Sequence, residues 1–505
     1  MNEKAAATLS ERDFLFALKS PDRLYIGGEW VSPISGGVRT LVSPGSGRNF
    51  IAVAHGGVED VDRAVAAARA AFDHGPWPRM TPAERASYLT RLGAEIVARS
   101  NLMAGLQAAE MGALYGMTAQ IVPFFAGTFD FYAAMAGSFP FIERHQPSVG
   151  GVGYLVQEPV GVCAAIVPWN GPLMLACWKL APALLAGCTV VLKASPEAPA
   201  TLVALAEAVE AAGLPAGVVN VITADREISE RLVRHPGVDK VSFTGSTGAG
   251  KKIGAICAER VARCTLELGG KSPAILLDDY DIDAFADHVA SAATLLSGQV
   301  CAALTRIIVP RAKQGRVLDA IAARFEAVKV GNPFDPSTGM GPLASAAQCG
   351  RVERYIETGR KEGSRLVCGG TAPAGLDPRF YMAPTLFGDV DNRATIAREE
   401  IFGPVLSVIP VDSEDHAIAV ANDSDFGLNA TVFTHDSDHA FKVARRLRSG
   451  TVAHNGFKTD FTIAFGGFKQ SGVGREGGVP GLRAYLEPKT VLLADAVSHF
   501  TQAPA

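Results

Sequence analysis

The sequence predicts an α/β protein of at least two domains, built on open parallel sheets. Three observations carry this. At 505 residues the chain exceeds what a single hydrophobic core supports. Its residues are 48% apolar and 19% charged, the balance of a globular α/β protein rather than of a disordered or fibrous one. In two long stretches, short apolar runs rich in β-branched residues alternate with helical periodicity, which implies parallel strands joined by crossover helices.

Leu24–Trp30 (LYIGGEW) reads as a strand and tight turn, and Val58–Phe72 as a helix behind it, with Asp60 or Asp62 serving near its start. Thr81-Pro82-Ala83-Glu84 spells a capping box with Pro at the first helical position, leading into a helix over Arg85–Arg99. The first alternation then runs through strand Gly161–Val167, helix Leu173–Leu185, strand Thr189–Leu192 and helix Ala200–Ala212. Strands Val218–Ile222 and Lys240–Phe243 extend it, each followed by a turn and a helix. The second alternation takes in Ser272–Leu277, Arg306–Val309, Leu406–Ile409, Ala430–Phe433 and Gly450–Ala453. No repeat period emerges, and the tail after Ala494 reads as loose.

Composition removes several function classes. Net charge is −4 and the basic residues are scattered, so no run exists to neutralise a nucleic-acid backbone. Met1–Ser20 carries Glu3, Lys4, Glu11, Arg12, Asp13 and Lys19, unlike a signal peptide. The most apolar stretch, Gly161–Leu192, is broken by Pro168, Asn170, Pro172, Lys179 and Pro182, which suits buried strands and helix better than a membrane span. The eight cysteines show no CxxC spacing, so no metal is expected, and they read as reduced thiols in a cytoplasmic protein.

Two short patterns mislead. Gly245–Lys251 matches GxxxxGK after a strand, but Lys252 stands where a nucleotide triphosphatase needs Ser or Thr. A Gly-rich turn opening a helix remains an anion site all the same, through its free N–H groups and helix dipole. Gly472–Gly477 spells GxGxxG without following a strand or opening a βαβ unit.

The stronger signal is a set of segments in fixed order: Pro168-Trp-Asn-Gly-Pro172, Trp178-Lys179 with Pro182-Ala-Leu184, Phe243-Thr-Gly-Ser-Thr247, Leu266-Glu-Leu-Gly-Gly-Lys271, Gly298-Gln-Val-Cys301, Glu399-Glu-Ile-Phe-Gly-Pro404 and Phe465-Gly-Gly-Phe-Lys-Gln-Ser-Gly472. Together, from about Leu24 to about Leu493, they resemble the aldehyde dehydrogenase superfamily, in its hydrolytic, NAD(P)-dependent branch. The resemblance implies a Rossmann-like dinucleotide-binding domain from residues 20–144 and 159–266 and a catalytic domain from 267–475. It also implies a bridging, oligomerising element from 145–158 and 482–498. A homodimer or homotetramer is expected, because such strands leave an edge a second subunit can pair with.

An isolated Cys is more often an inert buried thiol than a nucleophile. The resemblance makes Cys301 the nucleophile, attacking the aldehyde carbonyl and carrying a thioester after hydride departure. A lone Glu is ordinarily an exposed partner of a cation. Here Glu267 matches the family's general base, and its apolar, Gly-rich setting would raise its pKa. Asn170 reads equally as a turn former and, by resemblance, as the amide that joins the Cys301 N–H in holding the oxyanion.

The cofactor implied is NAD, with NADP admitted. By the same resemblance Lys193 holds a ribose, Gly245 and Ser246 face the pyrophosphate, and Glu400 and Phe402 position the nicotinamide ribose and ring. Ile166, Pro168, Trp169, Ser195, Glu197, Gly217, Phe243, Leu268 and Gly269 complete the set. The family's tunnel positions are Gly171, Leu175, Trp178, Leu296, Val300, Phe457 and Phe465, which favour a medium or bulky apolar aldehyde. Lys458 keeps a semialdehyde open, and a coenzyme-A-acylating relative is the other alternative, disfavoured by Glu267.

Four positions depart from the family's usual phrases. Pro196 stands where a carboxylate often follows Lys193, displacing it to Glu197 and leaving cofactor choice open. Leu296 replaces an Asn and Gly171 an aromatic residue, both beside the tunnel, and Ala464 replaces a Pro.

Overall fold

The computed structural model describes residues 18–498. The charged segment at 1–17 and the last residues of the tail read as loose lie outside the described residues. Two sheets dominate. The first has eight strands in the order Glu29–Val31, Leu24–Ile26, Val219–Thr223, Thr189–Ala194, Val162–Ile166, Lys240–Thr244, Arg263–Glu267, Gly472–Val473. Its five middle strands are parallel, and the flanking ones are antiparallel.

Val162–Ile166, Thr189–Ala194, Val219–Thr223 and Lys240–Thr244 are buried along their whole length. Helices on both faces explain this. Val190 and Leu192 join a core with helices Pro172–Ala186 and Ala200–Ala211, whereas Val191 joins one with helices Val58–Asp73 and Thr247–Arg260. Such strands therefore read as unbroken apolar runs instead of alternating. In chain order the five parallel strands lie third, second, first, fourth, fifth, so the direction of winding reverses between Val162–Ile166 and Lys240–Thr244. A ligand crevice is expected beyond the carboxyl ends of those two strands.

The second sheet has seven strands: Arg365–Cys368, Thr385–Gly388, Val405–Val411, Leu304–Pro310, Ser272–Leu276, Asn429–Phe433 and Thr451–His454. All are parallel except the first. A small antiparallel sheet joins Ile142–His145, Val152–Pro159 and Leu486–Leu493. Two strands cut across the domain segments that the resemblance implies. Ile142–His145 pairs with Val152–Pro159, His145 opposite Gly153 and Ile142 opposite Val156, so the small sheet begins ahead of position 145. Gly472–Val473, from the end of the second alternation, closes the edge of the first sheet by pairing with Leu266 and Glu267.

Local signals account for most helix starts. Thr81 accepts from the Glu84 N–H at 3.2 Å while Glu84 accepts from the Thr81 N–H at 2.7 Å, the reciprocal capping box its spelling announces. Asp60 is buried and accepts from the N–H groups of Gly57 and Ile34, both at 2.9 Å. Asp62 instead faces outward and pairs with Arg231. Residues 100–135, for which the sequence reading has no assignment, form helices Ser100–Met111 and Tyr115–Met135. No helix among the described residues is long and apolar enough to cross a membrane.

Candidate active site

The crevice lies where the topology puts it. The loop Val167–Gly171 leaves strand Val162–Ile166, and Gly245 with Ser246 leaves strand Lys240–Thr244, whose Phe243 pairs with Ile166. Ser246 caps the helix Thr247–Arg260 by accepting from the Ala249 N–H at 3.3 Å. Pro168, Trp169, Gly245, Ser246, Gly269, Glu400 and Phe402 line one crevice, together with Asn170, Glu267 and Cys301. An adjoining hollow is lined by Ile166, Lys193, Ser195, Glu197 and Phe243. Lys193 is buried, not a solvated strand end, and donates to the Ala224 carbonyl at 3.4 Å; burial brings its pKa down to about 8. Arg226 and Lys252 line the same hollow, and no sequence motif marks either for this place.

Gly217 and Leu268 are not brought to these surfaces. Gly217 is buried in a turn against helix Val58–Asp73, where an added Cβ would fall 2.6 Å from the Ala67 carbonyl oxygen. Leu268 points under the helix Thr247–Arg260, into the space that a Cβ on Gly250 would occupy at 2.3 Å. At both positions tight packing against a neighbouring helix takes up the side-chain space.

Glu400 is held at the crevice wall by the Gly270 N–H at 3.2 Å, and burial pushes its pKa up to about 7. A Cβ on Gly269 would fall 2.2 Å from Glu400 Oε2, so the glycine is what lets the carboxylate approach. The Phe402 ring meets Trp169 edge-on with centroids 5.4 Å apart. Gln348 donates to the Phe402 carbonyl at 2.6 Å, and Arg351 to those of Glu400 and Ile401 at 2.6 and 3.2 Å. Because these contacts are to main chain, Gln348 and Arg351 carry no motif and escape sequence reasoning.

The loop before Cys301 is strained and pinned. Leu296, Ser297 and Gly298 have φ of +48°, +57° and +74° in succession, a left-handed run that only the last residue adopts at low cost. Ser297 Oγ lies 2.8 Å from the Gly341 carbonyl, Gln299 Nε2 donates to the Leu296 carbonyl at 2.8 Å, and Gln299 Oε1 accepts from the Ala344 N–H at 2.9 Å. Asn170 Nδ2 donates to the Gln299 carbonyl at 2.9 Å, which ties the amide to the Cys301 loop and leaves its second N–H unspent.

Burial, with Glu267 and Glu400 nearby, pushes the Cys301 thiol up, against hydrogen bonds from the Ala302 and Cys301 N–H groups. Glu267 is buried, and apart from the Cys301 thiol beside it neither carboxyl oxygen has a hydrogen-bond partner among the described residues. Burial raises its pKa well above the ordinary value, Glu476 adds to this, and Lys179 opposes it. Lys179, fully buried on helix Pro172–Ala186, contacts Glu476 directly and donates to Thr244 and Ser242 at 2.8 and 3.3 Å. Glu476 lies inside the misleading GxGxxG spelling, so the run that fails as a dinucleotide motif supplies a second carboxylate near Glu267.

On the other side of Cys301 is a second cavity. Gly171, Leu175, Trp178, Leu296, Val300, Phe457 and Phe465 all line it, with Asn170 and Cys301. The helix Tyr115–Met135 adds Met117, Ile121, Phe124 and Phe125, which the sequence reading missed together with their helix. Among the described residues no charged side chain lines this cavity, and Lys458 is exposed outside it.

Residues 30–491 match the aldehyde dehydrogenase family model. The chain is 42% identical to the geranial dehydrogenase of Castellaniella defragrans over 93% of its length and 98% of that protein's. It superposes with a TM-score of 0.91 on an aldehyde dehydrogenase from Mycobacterium tuberculosis in complex with NAD+, at 43% identity and covering 95% of this chain and 99% of that one. The TM-score is 0.90 with a Cys-to-Ala mutant of aldehyde dehydrogenase C from Pseudomonas syringae in complex with NAD+ and octanal, at 40% identity, covering 94% and 97%. By sequence and by structure, the chain belongs to the aldehyde dehydrogenase family.

Proposed function

We propose that this protein oxidises medium-length, largely apolar aldehydes to carboxylic acids with NAD+ through a thioester on Cys301. One observation carries the reading: Cys301 and Asn170 are shared by a polar crevice at a sheet switch point and by a cavity without charged walls. The residues of the crevice fit a dinucleotide. Gly245 and Ser246 open a helix N-terminus suited to a pyrophosphate, Lys193 and Glu197 flank the hollow suited to the adenosine end, and Glu400 stands where Gly269 leaves room for its carboxylate. When bound, the nicotinamide ring accepts the hydride.

Cys301 gives up its thiol proton to solvent as its Sγ attacks the carbonyl carbon. The negative oxygen is received by the free Asn170 N–H and the Cys301 backbone N–H. Once the carbon has been oxidised to a thioester, Glu267 takes a proton from water, whose oxygen attacks the acyl carbon, and the acid leaves as the thiol is restored. Glu267 suits this because burial makes its carboxylate a stronger base than an exposed one. Its presence also favours water over coenzyme A as the acyl acceptor. In this reading residues 20–144 and 159–266 serve the cofactor, 267–475 the chemistry, and the small sheet joins subunits through its open edges in a homo-oligomer of the cytoplasm.

The uncharged cavity walls support this substrate class, as do two relatives, one named for geranial and one holding octanal, both uncharged and mostly hydrocarbon. Each methylene buried should raise kcat/KM about fourfold, from roughly 0.8 kcal/mol apiece. Efficiencies for acetaldehyde, hexanal and octanal should therefore climb steeply. A preference for succinic semialdehyde that disappears in Lys458→Ala would overturn this class in favour of a semialdehyde.

For the cofactor, NADP+ should be used within about a hundredfold of NAD+ in kcat/KM, because Pro196 removes one carboxylate and Arg226 and Lys252 line the hollow. Glu197 and Glu230, which lines the same hollow, are the counterweight, and a hydrogen bond from Ser195 holds Glu197 there. Rejection of NADP+ by far more than this, relieved in Glu197→Gln, would assign the discrimination to Glu197.

A further inference from the structure

Besides Asn170 and the half-buried Thr459, the amide and hydroxyl side chains that line the substrate cavity are those of Gln107 and Thr118. Gln107, on helix Ser100–Met111, lines it and is 4% exposed; Thr118, at the start of helix Tyr115–Met135, lines it and is 3% exposed. Gln107 Nε2 donates to the Met103 carbonyl at 3.3 Å, and that carbonyl fixes which end of the amide is which, since an oxygen turned toward it would be repelled. The second N–H and Oε1 are then unspent. Oε1 has no hydrogen-bond partner among the described residues, on a side chain that lines the cavity. The Thr118 hydroxyl gives its proton to the Leu114 carbonyl at 2.9 Å and keeps its oxygen as an acceptor.

Resting on the reading of this cavity as the aldehyde site, we infer that Gln107 and Thr118 form a subsite for a neutral hydrogen-bonding group, a hydroxyl above all, carried by the aldehyde away from its reactive carbon. A hydroxyl both donates and accepts, which matches one free N–H and two acceptor oxygens. A carboxylate or an ammonium does not match, because the walls hold no opposite charge. Gly171 contributes by leaving the wall beside Asn170 without a side chain: the nearest atoms to a Cβ there would be those of Leu175 and Met174, at 3.7 Å. An aromatic side chain at that point would take up cavity space that the substituted chain needs.

The discriminating experiment compares ω-hydroxyaldehydes of six to ten carbons with the unsubstituted aldehydes of equal length, in the native enzyme, Gln107→Met and Thr118→Val. The quantity read is the ratio of kcat/KM for hydroxylated to plain aldehyde within each protein, so a general loss of activity cancels. Burying a hydroxyl without a partner should depress that ratio about tenfold or more. The native enzyme is expected to bring it near or above one for at least one chain length, and Gln107→Met to lower it about tenfold at that length, with Thr118→Val doing so less. A native ratio below about one tenth at every length, or an unchanged ratio in Gln107→Met, overturns the subsite while leaving aldehyde oxidation standing. Failure of the native enzyme to oxidise any plain aldehyde removes both the subsite and the function it rests on.

Discussion

Replacing Cys301 with Ala is expected to lower kcat by about 10⁴-fold or more, because the variant loses the atom that forms the covalent intermediate while both cavities remain. No other thiol can take over. Cys163, Cys177 and Cys188 are buried in the core of the first sheet, and Cys257, Cys264, Cys349 and Cys368 line neither cavity at Cys301. Binding should survive, since the crevice walls are built by other residues, so NAD+ should still protect Cys301→Ala against thermal unfolding. Initial rates of nicotinamide reduction check the first statement, and thermal shifts with and without NAD+ check the second. Turnover near that of the native enzyme would remove Cys301 as the nucleophile.

Glu267→Gln should produce a different defect: a rapid first turnover followed by a steady state slower by about 10²- to 10⁴-fold, the range of a lost general base. The thioester needs Cys301 and the oxyanion donors to form, but water attack needs a proton acceptor. Gln fills the same space without being one. In the native enzyme this step should be lost as pH falls through the raised pKa of Glu267, because protonation removes the base, whereas for an ordinary carboxyl the loss would begin only at lower pH. Stopped-flow absorbance separates the phases. Equal loss of burst and steady state in Glu267→Gln would place the carboxylate in the earlier step.

The parts of the fold that were legible from sequence are those whose physics is local or two-faced. The parallel strands announced themselves because burial on both faces leaves unbroken apolar runs, as in Val162–Ile166 and Thr189–Ala194. The helix Tyr115–Met135 did not. Pro123 sits in its middle, Gly116 and Gly127 interrupt it, and its apolar residues spread round the axis instead of forming one stripe. With it went a quarter of the residues that line the cavity. The short strands Arg365–Cys368 and Thr385–Gly388 likewise offered too few residues for a period to show.

For the site, residues of the matched phrases lie together: Cys301, Glu267 and Asn170 at the crevice, and Gly171, Leu175 and Trp178 in the cavity. Residues acting through main chain or through burial were not found. Gln348 and Arg351 grip carbonyls of the Glu400–Phe402 loop, and Glu476 acquires its place beside Glu267 only because the strand Gly472–Val473 closes the sheet edge there. Gly217 and Leu268, which the phrases also marked, pack their side-chain space against neighbouring helices and are not among the residues lining the crevice or its adjoining hollow.

The most direct test of the covalent route is the mass of the acyl-enzyme. Glu267→Gln mixed with NAD+ and octanal, quenched in acid during the burst and digested, should carry one octanoyl group on the peptide containing Cys301. Its amount should equal the reduced nicotinamide formed, and hydroxylamine should release it. A full burst of reduced nicotinamide with Cys301 unmodified would contradict the account.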